Sequence, residues 1–187
     1  VDMPNEGPKL SDLYRTGKID SREGKRLIDE QRLVRETRHQ KNLDSVLFNL
    51  EKLNREAEKR GILLCIENRV HFWEIPDFKE IGLILNQFQG GHVRYWHDVG
   101  HARIQEILSI NRQKELLEAY SEMLIGIHLH DLIGLDDHFA PGQGEMNFEE
   151  IKPYLKSDQM KILEVHPKVD RKNLVEGIQF IKSMGIE

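Results

Sequence analysis

Four short apolar runs, each closing on an acid or a histidine, constrain this chain more than any other feature. They are Ile62-Leu63-Leu64-Cys65-Ile66-Glu67, Val93-Arg94-Tyr95-Trp96-His97-Asp98, Leu124-Ile125-Gly126-Ile127-His128-Leu129-His130-Asp131 and Met160-Lys161-Ile162-Leu163-Glu164-Val165-His166-Pro167. Between them the apolar spacing turns helical. Phe78, Ile81, Ile84, Leu85 and Phe88 recur within 77–89, helical texture resumes over 102–123, and a closing helix is expected over 170–184. After the third run, a Gly/Pro-containing loop from Gly134 to Gly144 leads into a short expected helix over 148–155. Strand and helix thus alternate four times at intervals of roughly 30 to 36 residues. That is the rhythm of parallel βαβ units in an α/β fold.

What precedes these units reads differently. Residues 1–20 are expected to be loop, with Pro4, Gly7, Pro8 and Gly17 interrupting any period. From Ser21 to Arg60 the chain is highly charged. Leu27, Ile28, Leu33 and Val34, then Leu43, Val46, Leu47, Leu50 and Leu53, recur at helical spacing. This predicts one long helix or two abutting ones, the second more amphipathic, ended by Gly61. The 187 residues, 39% hydrophobic and 32% charged, suit a single domain: loop over 1–20, helical over 21–60, four β/α units over 61–187.

Composition also excludes partners. No apolar run approaches the roughly 18 residues of a membrane span. The start, Val1-Asp2-Met3-Pro4, lacks the basic-then-apolar pattern of a secretory signal. A formal net charge of −5 argues against tracking nucleic-acid phosphates. Cys65, the single cysteine, has no internal disulfide partner, which suits the reducing cytoplasm and makes a cytoplasmic location the expectation.

In parallel α/β folds functional groups collect at the C-terminal ends of the strands. Here those ends deliver Glu67, Asp98, His128 and Glu164. A buried apolar strand does not close on a charge without a partner for it. Each acid alone could cap the following helix, but four such groups converging on one rim read as a metal site. Three carboxylates and one imidazole suit Mn²⁺, Mg²⁺ or Co²⁺, with Zn²⁺ compatible, and differ from the thiolate-rich structural zinc sites.

The surroundings add candidates. His101 follows Asp98 over the same rim and could donate to a substrate hydroxyl. His130 stands two residues beyond His128, and His166 two beyond Glu164, each on its partner's face. Both are therefore candidate substrate contacts, whereas His97 faces away from Asp98 and reads as structural. Asp137-His138, ahead of Pro141-Gly142-Gln143-Gly144, could carry a second metal or touch substrate. A metal chelating a sugar carbonyl and its neighbouring hydroxyl acidifies the C–H between them and stabilises an enediolate. Glu67 and Glu164 on either side would then serve as base and acid, giving epimerisation or aldose–ketose isomerisation.

Ile66-Glu67-Asn68, Trp96-His97-Asp98-Val99-Gly100-His101-Ala102, Ile127-His128-Leu129-His130-Asp131 and Asp136-Asp137-His138-Phe139-Ala140-Pro141-Gly142-Gln143-Gly144 resemble the sugar phosphate isomerase/epimerase family. This is the xylose-isomerase-like TIM-barrel group, which also holds metal-dependent AP endonucleases. Ile162-Leu163-Glu164-Val165 is similar to its final metal-bearing strand. The resemblance implies that Glu67, Asp98, His128 and Glu164 are the ligands, that the two glutamates are the acid/base pair, and that His101 contacts substrate. It covers about residues 40–187 and implies the last four β/α units of a (β/α)8 barrel, so a longer parent polypeptide is expected. The open edges of such a part would favour homo-oligomers. A sugar or sugar phosphate is the expected partner.

Three other functions remain. One is an AP-endonuclease-like multi-zinc phosphodiesterase, in which the resemblance makes Asp136 and His138 ligands of additional metals. The others are a polyol-ketone dehydratase and a non-catalytic degenerate barrel.

Overall fold

The computed structural model describes residues 1–186; Glu187, where the last expected unit closes, lies outside the described residues. Four parallel strands form the centre: β1 (Leu64–Glu67), β2 (Val93–Asp98), β3 (Leu124–Leu129) and β6 (Met160–Leu163), side by side in that order. Their chain order is their spatial order, as in a barrel wall wound in one direction. The helices between them are α4 (Phe78–Gln87), α5 (Val99–Ile107) and α6 (Gln113–Tyr120), and α7 (Arg171–Ser183) closes the chain. The expected α/β organisation is present, as one side of a barrel wall.

The helical segment is two abutting helices, α2 (Arg22–Arg38) and α3 (Gln40–Arg60), joined through His39. Ser21 caps the first by accepting from the Gly24 amide, and left-handed Gly61 ends the second. Arg35 pins α2 onto the sheet unit: its guanidinium donates to Asp77 (2.8 Å), Glu80 (2.6 Å) and the Glu74 carbonyl (2.8 Å). Asp77 and Glu80 are themselves a reciprocal capping box at the start of α4. One buried arginine thus fixes α2 against the entry of the first crossover.

Three expectations are corrected. Residues 1–20 are not all loop, because Gly7–Arg15 form α1. Pro8 falls in the first turn, where a missing N–H is harmless, and Leu10 and Leu13 bury one face. The expected loop over 134–144 contains most of a hairpin, β4 (Asp131–Ile133) with β5 (Asp136–Phe139). Strands this short carry too few residues for a period of two to show. The helix expected over 148–155 is two short 3-10 turns, Phe148–Glu150 and Lys152–Tyr154, the second containing Pro153.

The register sets the two faces of the sheet. Glu67 pairs with Trp96, Asp98 with His128, and His128 with Ile162. Alternation therefore puts Cys65, Glu67, Trp96, Asp98, Gly126, His128, Met160 and Ile162 on one face. The other face, with Tyr95, Ile127 and Leu129, packs against the helices and makes the core.

Candidate metal centre at the strand ends

Glu67, Asp98, His128 and Glu164 come together as expected. Each offers one ligand atom, and the four atoms lie within 4.8 Å of one another. His128 Nδ1 sits 2.8 Å from Glu164 Oε2, 3.4 Å from Glu67 Oε1 and 3.4 Å from Asp98 Oδ2. That nitrogen is buried and makes no hydrogen bond among the described residues. An orphaned imidazole nitrogen aimed into a ring of carboxylate oxygens fits a cation, which accepts a lone pair from each.

The charges agree with the geometry. Burial pulls His128 toward its neutral form, but Asp98, Glu67 and Glu164 outweigh it and push the ring up to about 10. Asp98 is fully buried, which alone would raise it. The nearby His128, the hydrogen-bonded His130 and the charge of His101 instead hold its carboxyl far below the usual range. Three carboxylates this close repel one another, so the cluster demands positive charge at its centre. A divalent ion satisfies that demand more fully than a proton.

Asp98 is the hub. Its Oδ1 accepts from the His101 amide at 2.8 Å, so it also caps α5, the role each strand-end acid could have had alone. Its backbone is clamped by Asn68, whose Oδ1 accepts from the Asp98 amide and whose Nδ2 donates to the Asp98 carbonyl, both at 2.9 Å. The Tyr95 hydroxyl donates to Asn68 Oδ1 at 3.0 Å and accepts from His97 Nδ1 at 2.8 Å. His97 is thus structural, as expected, and burial drops it to about 4 against the opposing pull of Asp98. Asn68 and Tyr95 escaped the sequence reading. The available signal was an amide directly after a strand-end acid.

The remaining candidates separate. His101 is at the rim, its Nδ1 3.1 Å from the Asn68 carbonyl and 3.5 Å from Glu67 Oε1. His138 Nδ1 is 2.7 Å from Asp137, and its Nε2 is 3.7 Å from Glu164. His101, Asp137 and His138 form a second set that could hold a metal. Asp136 does not join it: this residue is exposed, because the hairpin register turns Asp137 inward instead. His166 is exposed, and its Nδ1 accepts from the Lys168 amide. It joins none of these clusters. His130 is fully buried, which removes it from substrate contact. Asp131, also buried, accepts from the amides of Leu132, Gly142 and Met146 and so ties the hairpin to the Pro141–Gly144 turn.

A wall of parallel β/α units with a carboxylate–imidazole cluster on its C-terminal rim is the organisation of one side of a TIM barrel. Residues 23–184 match the family described as xylose isomerase-like TIM barrel, and the chain belongs to that family. An uncharacterized protein of Methanocaldococcus jannaschii, MJ1614, is 31% identical over 136 residues, which are 70% of this chain and 49% of that protein. Among solved structures, a D-tagatose 3-epimerase-like protein superposes with a TM-score of 0.63 at 24% identity, over 75% of this chain and 53% of the other. A 3-keto-D-glucoside 4-epimerase from E. coli does so with a TM-score of 0.60 at 14% identity, over the same shares. At these identities the likeness to the solved structures is one of fold. The chain spans about half the length of the relatives it matches.

Proposed function

We propose that this chain carries the metal-binding and acid/base half of a sugar or sugar-phosphate isomerase/epimerase dependent on Mn²⁺, Mg²⁺ or Co²⁺. The observation that carries the reading is the buried, unbonded His128 Nδ1 facing Glu67, Asp98 and Glu164. The bound ion would polarise a substrate carbonyl and its neighbouring hydroxyl. Glu67, Asp98, His128 and Glu164 would hold it, with Asp98 the buried member fixed by the His101 amide and the His130 ring. Glu67 and Glu164 lie at the more open edge, their side chains 26% and 44% exposed, where a substrate carbon can reach them. One glutamate takes the proton next to the carbonyl. The other delivers a proton to the opposite face, inverting that carbon, or the same proton returns to the adjacent carbon and moves the carbonyl. His101, at the rim, orients a substrate hydroxyl. The epimerases of like fold support a sugar as substrate.

The test is solvent deuterium incorporation at the α-carbon of a ketose panel with Mn²⁺ supplied. Incorporation that disappears in Glu164→Gln is expected; incorporation unchanged in that variant overturns the acid/base assignment.

One observation favours a second reading. His101, Asp137 and His138 form a neighbouring set with ligand spacing, as multi-zinc phosphodiester cleavage would need. The net charge of −5 opposes a polyanionic substrate. Metal stoichiometry separates the two: about one ion per chain favours the isomerase, two or three zinc ions the phosphodiesterase.

A further inference from the structure

His130 does something other than bind substrate or metal. It is enclosed between α5, the hairpin and the strand-end cluster, with no exposed surface. Its Nδ1 accepts from the His138 backbone amide at 3.0 Å, nearer than the Asp131 carbonyl oxygen at 3.4 Å. Its Nε2 faces both Asp98 oxygens, at 3.1 and 3.2 Å. An amide N–H aimed at Nδ1 requires a lone pair there, so the ring's proton sits on Nε2 and is donated to Asp98. An Nε2 that carries a proton has no lone pair left for a metal. This removes His130 as a ligand, although its ring lies in a cluster with Asp98, His138 and Glu164.

Two features show that the seat for this ring is built. A Cβ added to Gly100 would overlap the His130 ring at Cε1 and crowd both nitrogens. Only glycine lets α5 start this close. On the opposite side the His138 ring stacks on His130, centroids 4.3 Å apart and planes 7° from parallel. His138 holds a left-handed backbone, φ 63°, which directs its amide at His130.

We propose that His130 is a positioning residue that couples the β4–β5 hairpin to the metal centre: the hairpin backbone fixes its tautomer, and the tautomer fixes the Asp98 carboxylate. This rests on the metal reading above. Such outer partners of a ligand carboxylate govern metal affinity by roughly 10 to 100-fold.

Two substitutions divide the ring's tasks. In His130→Gln the terminal amide reaches the Nε2 position and can still donate to Asp98. In His130→Asn the shorter amide can still accept from the His138 amide but falls short of Asp98. The measurement is Mn²⁺ affinity by calorimetric titration of the 187-residue chain, with thermal melting of each metal-free variant alongside. His130→Asn is expected to bind Mn²⁺ roughly 10 to 100-fold more weakly, His130→Gln within about threefold of the parent. Gly100→Ala should resemble His130→Asn. A purely structural residue would lower melting in both variants without separating their affinities. Equal affinities in the two variants, weakened or not, overturn the proposal while leaving the metal site standing. A parent chain that binds no Mn²⁺ overturns the metal reading and this proposal with it.

Discussion

The two faces of the four-stranded sheet both carry apolar side chains, yet only one is enclosed. Toward the helices Tyr95, Ile127 and Leu129 have no exposed surface. On the opposite face Met160 and Ile162 are 50% and 45% exposed, and Cys65 is open as well. Parallel sheets are normally covered on both sides, which explains why these strands read as nearly continuous apolar runs. The difference teaches that stability and chemistry sit on different faces. The helix-facing side holds the fold, while the open side carries Trp96 and Gly126 and ends upward in the carboxylate–imidazole rim.

Substitutions on the two faces should therefore fail differently. The largest effect belongs to the rim. Glu164→Gln should cut α-proton exchange on the order of a thousandfold with its melting temperature unchanged, read by solvent deuterium incorporation and circular dichroism. Ile127→Ala, on the enclosed face, should lose about 2–5 kcal/mol of stability in urea titration. A loss under about 1 kcal/mol there would erase the contrast between the faces.

His97 makes the helix-facing side sensitive to acid. Its folded-state value of about 4 lies below the 6.5 of the free ring, so folding favours the neutral form. The corresponding stability is fully present above pH 6.5 and drains away as pH falls toward 4, roughly 3 kcal/mol in all. Urea midpoints measured across that window should fall with acid in the parent and flatten in His97→Gln. The smallest effect is expected on the open face, where Ile162→Ala should change stability by less than about 1 kcal/mol. A larger loss would mean that something covers this face in solution, and sedimentation of parent and variant would reveal a second copy doing so.

The rim was legible in the sequence for a physical reason. A charge at the end of a buried strand is costly, so Glu67, Asp98 and Glu164 stand out against Ile66, His97 and Leu163 without any coordinates. The parallel order of the strands followed from their spacing. The supports did not show themselves. Asn68 and His130 act by reaching groups about 30 residues away, Asp98 in both cases, and no local period records such a hydrogen bond. The exchange of Asp136 for Asp137 has a similar origin. Adjacent strand residues face opposite sides, and only the pairing of Asp131 with Phe139 decides which acid turns toward His101. In α1, Pro8 and Gly17 flank the buried Leu10 and Leu13 and bound a helix where they had suggested none.

The most direct test of the strand-end centre is equilibrium dialysis of the chain against Mn²⁺, followed by elemental analysis, beside Asp98→Asn and His128→Ala. About one ion per parent chain, lost in both variants while their folds persist, is the expected result. A parent that retains no divalent ion, or variants that retain as much as the parent, would contradict the reading of Glu67, Asp98, His128 and Glu164 as a metal site.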